Sequence, residues 1–367
     1  MVNQKTLLIF SPTIEDGGVE KNLFNISNFL STKIDNIFLI TANTDKKRNF
    51  DRKINVIAPI SHYWIHKSRL IKTLICLKLF IKFLLTHKNK IVVFSFNSNL
   101  YAILIGIIFN YKVIIRSNAS PLSYSSNPIK KKIFLFFFKF ADELIVNSLE
   151  FKNQIKNEFN LNAKYIYNPL ENLKEINKKA NQSFKFNFFK KKHINIVSLG
   201  RLVKQKDQLT ILKAVNLLKN YIKYKLLIIG DGEELKNLKK YIKNNSLKNV
   251  KIISYKKNPY PYIKKSDLFI LSSIYEGLPN VLLEAMSLKK FIISSNCLTG
   301  PKEILANGRY GYLFNVGNYS QLANKIKKFS SHKKLLKNKT LLGFKSLDRF
   351  NYNKNCNEYF YTIIKYL

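Results

Sequence analysis

Cysteine is scarce in this sequence. Its 367 residues contain three, Cys76, Cys297 and Cys356, set far apart and at no metal-ligand spacing. That excludes a disulfide framework or a zinc module and fits a reducing compartment. Long apolar runs are missing too. No window of about 20 residues is wholly apolar, so no transmembrane helix is expected. The apolar run Leu70 to Leu85 is broken by Lys72, Lys78 and Lys82. Met1 to Phe10 holds one lysine and a short apolar run before Ser11-Pro12. That is too short for a signal-peptide core and reads as a first strand. Arginine is rare, with seven among 63 basic residues. Nucleic-acid readers lean on arginine for bidentate and stacking contacts, so the formal charge of +41 is weak support for a nucleic-acid partner. Acids are few, 22 in all. From Arg52 to Ala141 there is no Asp or Glu, against 15 Lys and Arg.

Hydrophobic residues make up 46% of the chain and charged residues 23%, a balance that supports folded structure and excludes wholesale disorder. The length suggests two domains. Short apolar runs alternate with helical patterns. Thr6–Phe10, Ile37–Ile40, Ile54–Ile57, Ile91–Phe94, Lys112–Ile115, Leu144–Val146 and Tyr165–Tyr167 read as buried strands, with helices near 19–31, 67–87, 99–109, 127–140 and 149–159. The segment 171–192 is polar and lysine-rich and is expected to be a linker. Strands resume at Ile194–Leu199, Leu226–Ile229, Val250–Ile253, Leu268–Leu271 and Phe291–Ser294, with helices near 207–220, 233–245, 279–289 and 319–329. Continuous apolar strands alternating with helices imply parallel sheets covered on both faces. The expected fold is α/β: two Rossmann-like doubly wound domains, 1–170 and 193–350, facing across a cleft. Residues 351–367 form a last helix expected to pack back toward the N-terminal domain.

Several strand ends could carry chemistry. Gly17-Gly18 follows the first strand and opens a helix, a place where anions bind helix N–H groups, although a plain tight turn also fits. Gly200-Arg201-Leu202 ends the first strand of the second half, with Lys206 following; Arg201 can fork onto phosphate oxygens and Lys206 can add a point charge. Gly230-Asp231-Gly232 ends the next strand. Two glycine-bearing strand ends in one half suggest a nucleotide site. Neither the Walker spacing nor the full dinucleotide fingerprint is present. In the run Glu276-Gly277-Leu278-Pro279-Asn280-Val281-Leu282-Leu283-Glu284, Pro279 suits a helix start. Glu276 then falls in the loop before that helix and Glu284 within it. Carboxylates there can accept hydrogen bonds from sugar or ribose hydroxyls. The bland alternative is a capping acid beside a solvent-facing glutamate.

The run Tyr275–Met286 resembles the Glu-x7-Glu signature of the family 4 retaining glycosyltransferases of the GT-B fold. Gly17-Gly18-Val19-Glu20-Lys21, Gly200-Arg201-Leu202 with Gln205-Lys206, Asn258–Tyr262 with Ser266–Leu268, and Gly300–Leu305 resemble further segments of that family, in the same order. Ser254 stands where the family often has glycine. The resemblance implies a nucleotide-sugar donor, UDP rather than GDP, and transfer of a hexose or N-acetylhexosamine with retention at the anomeric carbon. It implies that Arg201 and Lys206 hold the donor diphosphate, that Glu276 contacts the donor sugar and that Glu284 binds the ribose. Gly17, Gly18, Gly200, Gly230, Gly277, Leu278, Asn280 and Val281 complete the implied donor contacts. No metal or other cofactor is implied, and no DxD motif stands in a suitable place. Arg116 and Asn118, in Arg116–Pro121 at the end of a strand, are candidate acceptor or sugar ligands. The five histidines, His62, His66, His87, His193 and His332, match no motif.

Lys67–Lys88 and Lys130–Phe140 combine lysines with large apolar side chains inside the acid-free stretch. Core helices with snorkelling lysines would look like this. So would a surface that meets anionic lipid, and that is the expectation adopted. It implies a protein peripheral on the inner face of the bacterial plasma membrane, extending a polyprenyl-diphosphate-linked glycan of O-antigen, lipopolysaccharide or capsule type. A soluble small-molecule acceptor is the alternative. A basic nucleic-acid-binding protein would leave Glu276, Glu284 and the glycine loops unexplained.

Overall fold

The computed structural model describes residues 5–15, 17–87, 90–118 and 128–367. Its internal contacts divide the chain into two compact units, Met1–Pro169 with Tyr352–Leu367, and Leu170–Asn351.

The first unit is built on β1 (Thr6–Phe10), β2 (Ile37–Ile40), β3 (Ile54–Ile57), β4 (Ile91–Ser95), β5 (Lys112–Ser117), β6 (Glu143–Val146) and β7 (Lys164–Tyr165). All pairs are parallel and the order is 3-2-1-4-5-6-7. Its helices in this part of the chain are α1 (Gly18–Leu30), α2 (Arg69–Thr86), α3 (Asn99–Phe109), α4 (Pro128–Phe138) and α5 (Leu149–Phe159). The run Thr6-Leu7-Leu8-Ile9-Phe10 is buried throughout, as a central strand covered on both faces must be. Its period of two sends Leu7 and Ile9 into one core with Leu23 and Ile26 of α1. Leu8 and Phe10 enter the other, with Phe80 of α2, Ile103 of α3, Phe138 of α4 and Phe151 of α5.

The second unit carries β8 (Ile194–Leu199), β9 (Tyr224–Ile229), β10 (Val250–Ile253), β11 (Leu268–Leu271), β12 (Phe291–Ser295) and β13 (Tyr312–Phe314), parallel and in the order 10-9-8-11-12-13. Its helices are α6 (Leu173–Ala180), α7 (Gln208–Leu218), α8 (Leu235–Asn244), α9 (Tyr260–Lys265), α10 (Asn280–Ser287), α11 (Pro301–Ile304), α12 (Tyr319–His332) and α13 (Lys337–Lys345). The chain then returns to the first unit as α14 (Tyr352–Ile364), which buries Cys356, Tyr359 and Ile363 beside Leu7 and Ile9.

The segment 171–192, expected to be a linker, contains α6. Ile176 and Ala180, one turn apart, are buried, and the helix packs against α9. Asn258 ties it down by donating to Lys179 O at 2.9 Å and Gln182 Oε1 at 2.6 Å. Lysines on the outer face hide so short an apolar stripe in the sequence.

Each sheet has one point where strand order reverses: between β1 and β4 in the first, and between β8 and β11 in the second. Ligand crevices of doubly wound sheets form outside the carboxyl ends of the strands at such points.

Candidate active site

The carboxyl ends of β8 and β11 bring together most of the residues singled out in the second half of the sequence. β8 runs into Gly200-Arg201-Leu202. A side chain on Gly230 would place its Cβ 1.9 Å from Gly200 O, and one on Gly232 would lie 2.2 Å from Leu202 O. The two loops are joined by hydrogen bonds from Gly200 N to Ile229 O at 3.1 Å, from Leu202 N to Asp231 O at 2.7 Å and from Glu234 N to Leu202 O at 2.8 Å. Gly230 therefore meets a backbone, and its lack of a side chain is explained without a ligand. Arg201 is exposed.

Lys206 closes a 3₁₀ turn, Lys204–Lys206, just before α7. Asp207, at φ +43°, caps that helix by accepting from Thr210 N at 3.3 Å and Thr210 Oγ1 at 2.6 Å. Burial holds the Asp207 carboxyl above its ordinary pKa. The cap fixes the chain at Lys206, whose stem crosses Gly200; a Cβ there would lie 3.7 Å from Lys206 Cδ. Lys206 Nζ pairs with Glu276 Oε1 at 2.5 Å, and both side chains are largely buried.

The Glu276 loop is stapled to this turn. Gln205 O accepts from Ile274 N at 2.8 Å, Gln205 Nε2 donates to Tyr275 O at 2.9 Å, and Ser272 Oγ donates to Lys206 O at 2.9 Å. Ser273 Oγ donates to Glu276 Oε1 at 2.6 Å, and Ser295 Oγ to Ser273 O at 2.6 Å. Thr299 Oγ1 donates to Glu276 O at 2.5 Å. A Cβ on Gly300 would lie 2.0 Å from Gly277 O, so this loop too rests on backbone. Leu278 is buried, Pro279 is the N-cap of α10, and Asn280 and Val281 lie half-buried in its first turn. Glu284, on the second turn, is 5% exposed.

A partly buried Lys–Glu pair adds little to stability, because desolvation offsets the Coulomb gain. What it does supply is a fixed ammonium and a fixed carboxylate at the switch point, near the N-terminus of α7, whose N–H groups favour anions. Nearby Cys297 is inert as a nucleophile. Burial, with the Glu276 charge adding to it, pushes its thiol up to about 12.

The serines and threonine that position Glu276 were not among the residues picked out in the sequence. Their signal is modest: Ser272-Ser273 and Ser294-Ser295 are small hydroxyl residues standing where buried apolar strands end.

In the first unit, Gly17 and Gly18 begin α1 at the carboxyl end of β1. Gly17 is extended, and a Cβ there would meet only the Glu20 carboxylate, at 2.8 Å. Arg116 is not the open ligand expected. It is fully buried. Its Nε donates to Tyr359 Oη at 2.9 Å, its Nη2 to Asn168 Oδ1 at 2.7 Å, and its Nη1 to Asn118 Oδ1. The period of β5 puts Arg116 on the same side as Ile114, in the core that receives α14. Asn118 is spent alongside it, donating to Phe96 O at 3.0 Å and accepting through its carbonyl from Asn147 Nδ2 at 3.1 Å. Ala119, Ser120 and Pro121 lie outside the described residues.

Two parallel doubly wound units, one holding a cationic and carboxylate site at its switch point, are the architecture of the GT-B fold. Residues 179–340 match the family model described as "Glycosyl transferases group 1". An uncharacterized glycosyltransferase of Methanocaldococcus jannaschii is 34% identical over 207 residues, 53% of this chain and 51% of that protein. The chain thus spans about half the length of that relative. The amylovoran biosynthesis glycosyltransferase of Erwinia amylovora is 27% identical over 314 residues, covering 83% of this chain and 85% of the relative. A Campylobacter jejuni N-acetylgalactosaminyltransferase named for a diphospho-undecaprenol-linked substrate is 26% identical over 238 residues, 63% of each chain. Among solved structures, Anabaena HepE in complex with UDP and glucose superposes with a TM-score of 0.77 over 99% of this chain and all of that one, at 16% identity. That likeness concerns the fold.

Proposed function

We propose that the protein transfers a hexose or N-acetylhexosamine from a UDP-sugar, with retention, to a polyprenyl-diphosphate-linked glycan in the synthesis of a bacterial surface polysaccharide. The observation that carries this reading is the Lys206–Glu276 pair, held by the Gln205, Ser272 and Ser273 contacts at the β8–β11 switch point. In the reaction the bond between the anomeric carbon and the diphosphate oxygen breaks, and negative charge grows on the leaving oxygen. Lys206 and Arg201 meet that charge with no reorganisation of the loop. Glu276, on the loop stapled to theirs, accepts hydrogen bonds from the sugar and stabilises the positive charge that develops at the anomeric centre. Glu284 accepts from the ribose hydroxyls. The two cations take the part a metal plays elsewhere, and activity is expected to survive EDTA.

The UDP donor is supported by the complexes formed by structural neighbours, and the lipid-linked acceptor by the printed substrate of the Campylobacter relative. The acid-free stretch from Arg52 to Ala141 supports work at the inner face of the plasma membrane. A panel of UDP- and GDP-sugars, read as nucleotide release with and without a lipid-linked acceptor, tests the reading. UDP release that depends on the lipid-linked acceptor is the expected result. Equal turnover on water-soluble sugars, or preference for GDP-sugars, would overturn it.

A further inference from the structure

Among the described residues no helix is long and apolar enough to cross a membrane, yet α2 is apolar on two sides. Its inward stripe, Cys76, Phe80, Phe83 and Leu84, packs with Leu8 and Phe10. Its outward stripe is Leu70, Leu74, Lys78, Ile81, Lys82 and Leu85, at helical spacing and all exposed. The outer face of α4 follows the same plan, with Ile129, Lys132, Ile133 and Phe136 exposed. Between them lies α3, in contact with both, exposing Ile107 and Ile108. Beside the start of α2, the turn His62–His66 exposes Tyr63, with Lys67 Nζ 3.9 Å from its ring centroid. All three helices cover one side of the sheet, because they share one core. On the other side, α1 exposes no large apolar side chain.

Outer helix faces of a doubly wound domain are ordinarily polar, and a continuous exposed apolar surface marks an interaction site. The charge of this surface selects the partner. Arg69 at its rim is paired with Glu15 at 2.7 Å, but no acid occurs between Arg52 and Ala141. A second copy of the chain would set Lys78 and Lys82 against lysines of the same face, an unfavourable pairing of like charges. A nucleic-acid backbone would answer the lysines and leave the apolar stripes unused. Anionic lipid answers both: apolar side chains seat at the headgroup boundary, lysines meet lipid phosphates, and Tyr63 suits the interfacial level.

We infer that the α2–α3–α4 side of the first unit docks on an anionic phospholipid surface. This deepens the proposed function by naming the surface that brings the enzyme to a lipid-linked acceptor, and it does not depend on the donor chemistry. The full chain is to be floated with vesicles of phosphatidylcholine alone and of phosphatidylcholine mixed with phosphatidylglycerol, at low and high salt. The expected result is recovery with the mixed vesicles at low salt, weakened about tenfold or more by Lys78→Glu with Lys82→Glu, and by a comparable factor by Leu74→Ser with Leu85→Ser. Leu217→Ser, at an exposed leucine of the second unit, should change nothing. Equal recovery with both vesicle types, or unchanged binding by both double variants, would overturn the inference. So would a dimer without vesicles that Leu74→Ser with Leu85→Ser makes monomeric, which would give the face to a second copy. UDP affinity, measured on the same samples by calorimetry, keeps the two readings apart. Loss of UDP binding with normal flotation would sink the donor assignment alone; loss of flotation with normal UDP binding would sink the docking surface alone.

Discussion

At the switch point of the second unit, Lys206 and Glu276 are drawn below the surface and held by hydroxyl and amide contacts. At the corresponding point of the first unit, neutral groups join the ends of β1 and β4: Asn97 Nδ2 donates to Ser11 Oγ at 3.1 Å and to Thr13 O at 2.9 Å. A fully buried ion of that unit, Arg116, turns into the core and fastens α14 to the sheet. Lys78 and Lys82 of α2 and Lys132 of α4 stand outside, whereas Lys72 of α2 is buried and donates to Asn43 Oδ1 at 3.5 Å. One topology thus supports two uses of charge. The second unit keeps a few ions under cover, where a low dielectric strengthens their action on a ligand. The first spreads many over a surface, where each is weak and their sum depends on salt. Position at a strand end is shared by both; the direction of the side chain decides between them.

The sharpest way to break this contrast is at the site itself. Lys206→Ala and Glu276→Ala should each lower turnover about 10³-fold or more while circular dichroism shows the fold retained and the melting temperature falls, because the remaining charge loses its buried partner. Near-normal turnover in either would remove the reason for treating the second unit as the chemical one. The next test uses two arginines at strand ends. Arg116→Met should destabilise the first unit by about 3–5 kcal/mol, because it strips Tyr359, Asn168 and Asn118 of a buried donor. Arg201→Met, at an exposed position, should shift stability by less than about 0.5 kcal/mol but impair turnover. Urea unfolding beside nucleotide release checks both; equal destabilisation by the two variants would erase the distinction.

Arg116 also shows where the sequence stops being legible. The strands could be read because buried parallel strands are uninterrupted apolar runs, and the loop-to-helix placement of Glu276 and Glu284 followed from Pro279. Which side of β5 receives Arg116 depends on knowing that Ile114 faces α14, a contact between residues more than two hundred positions apart. The same limit hid the supports of Glu276: Ser273 lies three residues away, but Ser295 and Thr299 come from the next strand and its loop. α6 was missed because its buried face is two residues wide, and β13 because three residues carry no period.

The glycines of the second unit offer a smaller effect that tests how firmly its loops are held. At Gly230 a methyl group would lie 1.9 Å from Gly200 O, at φ +155°. Gly230→Ala should therefore cost about 2–4 kcal/mol through strain and displacement of the Arg201 loop. Gly317 has φ +73° and nothing within 4 Å of the added atom, so Gly317→Ala should cost only about 1 kcal/mol, the conformational part alone. If the two cost the same, the Gly200 and Gly230 loops are not packed as rigidly as the site requires. A large loss at Gly230 together with a fall in UDP affinity would tie the packing of these loops to donor binding.

Lys290 tests whether the second unit tolerates covered charge away from the site. Its Nζ donates to Lys264 O at 2.6 Å and Ser266 O at 2.9 Å. Burial lowers its pKa to about 8, partly opposed by Asp267 and reinforced by Lys264 and Lys333. The unfolded value is the ordinary 10.5, so below about 8 both states are charged and the folded state carries the whole penalty, roughly 1–3 kcal/mol. As pH rises from about 8 toward 10.5 the folded state loses its proton first, and the penalty disappears. Lys290→Met should accordingly gain on the parent most near neutral pH, with the advantage shrinking by about pH 10 as the neutral amine keeps its two carbonyl partners. Paired urea titrations of parent and variant across that range cancel the contributions of the surface lysines they share. A gap that does not change with pH would mean that the Lys290 ammonium is well solvated. Covered charge in the second unit would then be confined to the site and its supports, Lys206, Asp207, Glu276 and Glu284, and the contrast with the first unit would belong to the site alone.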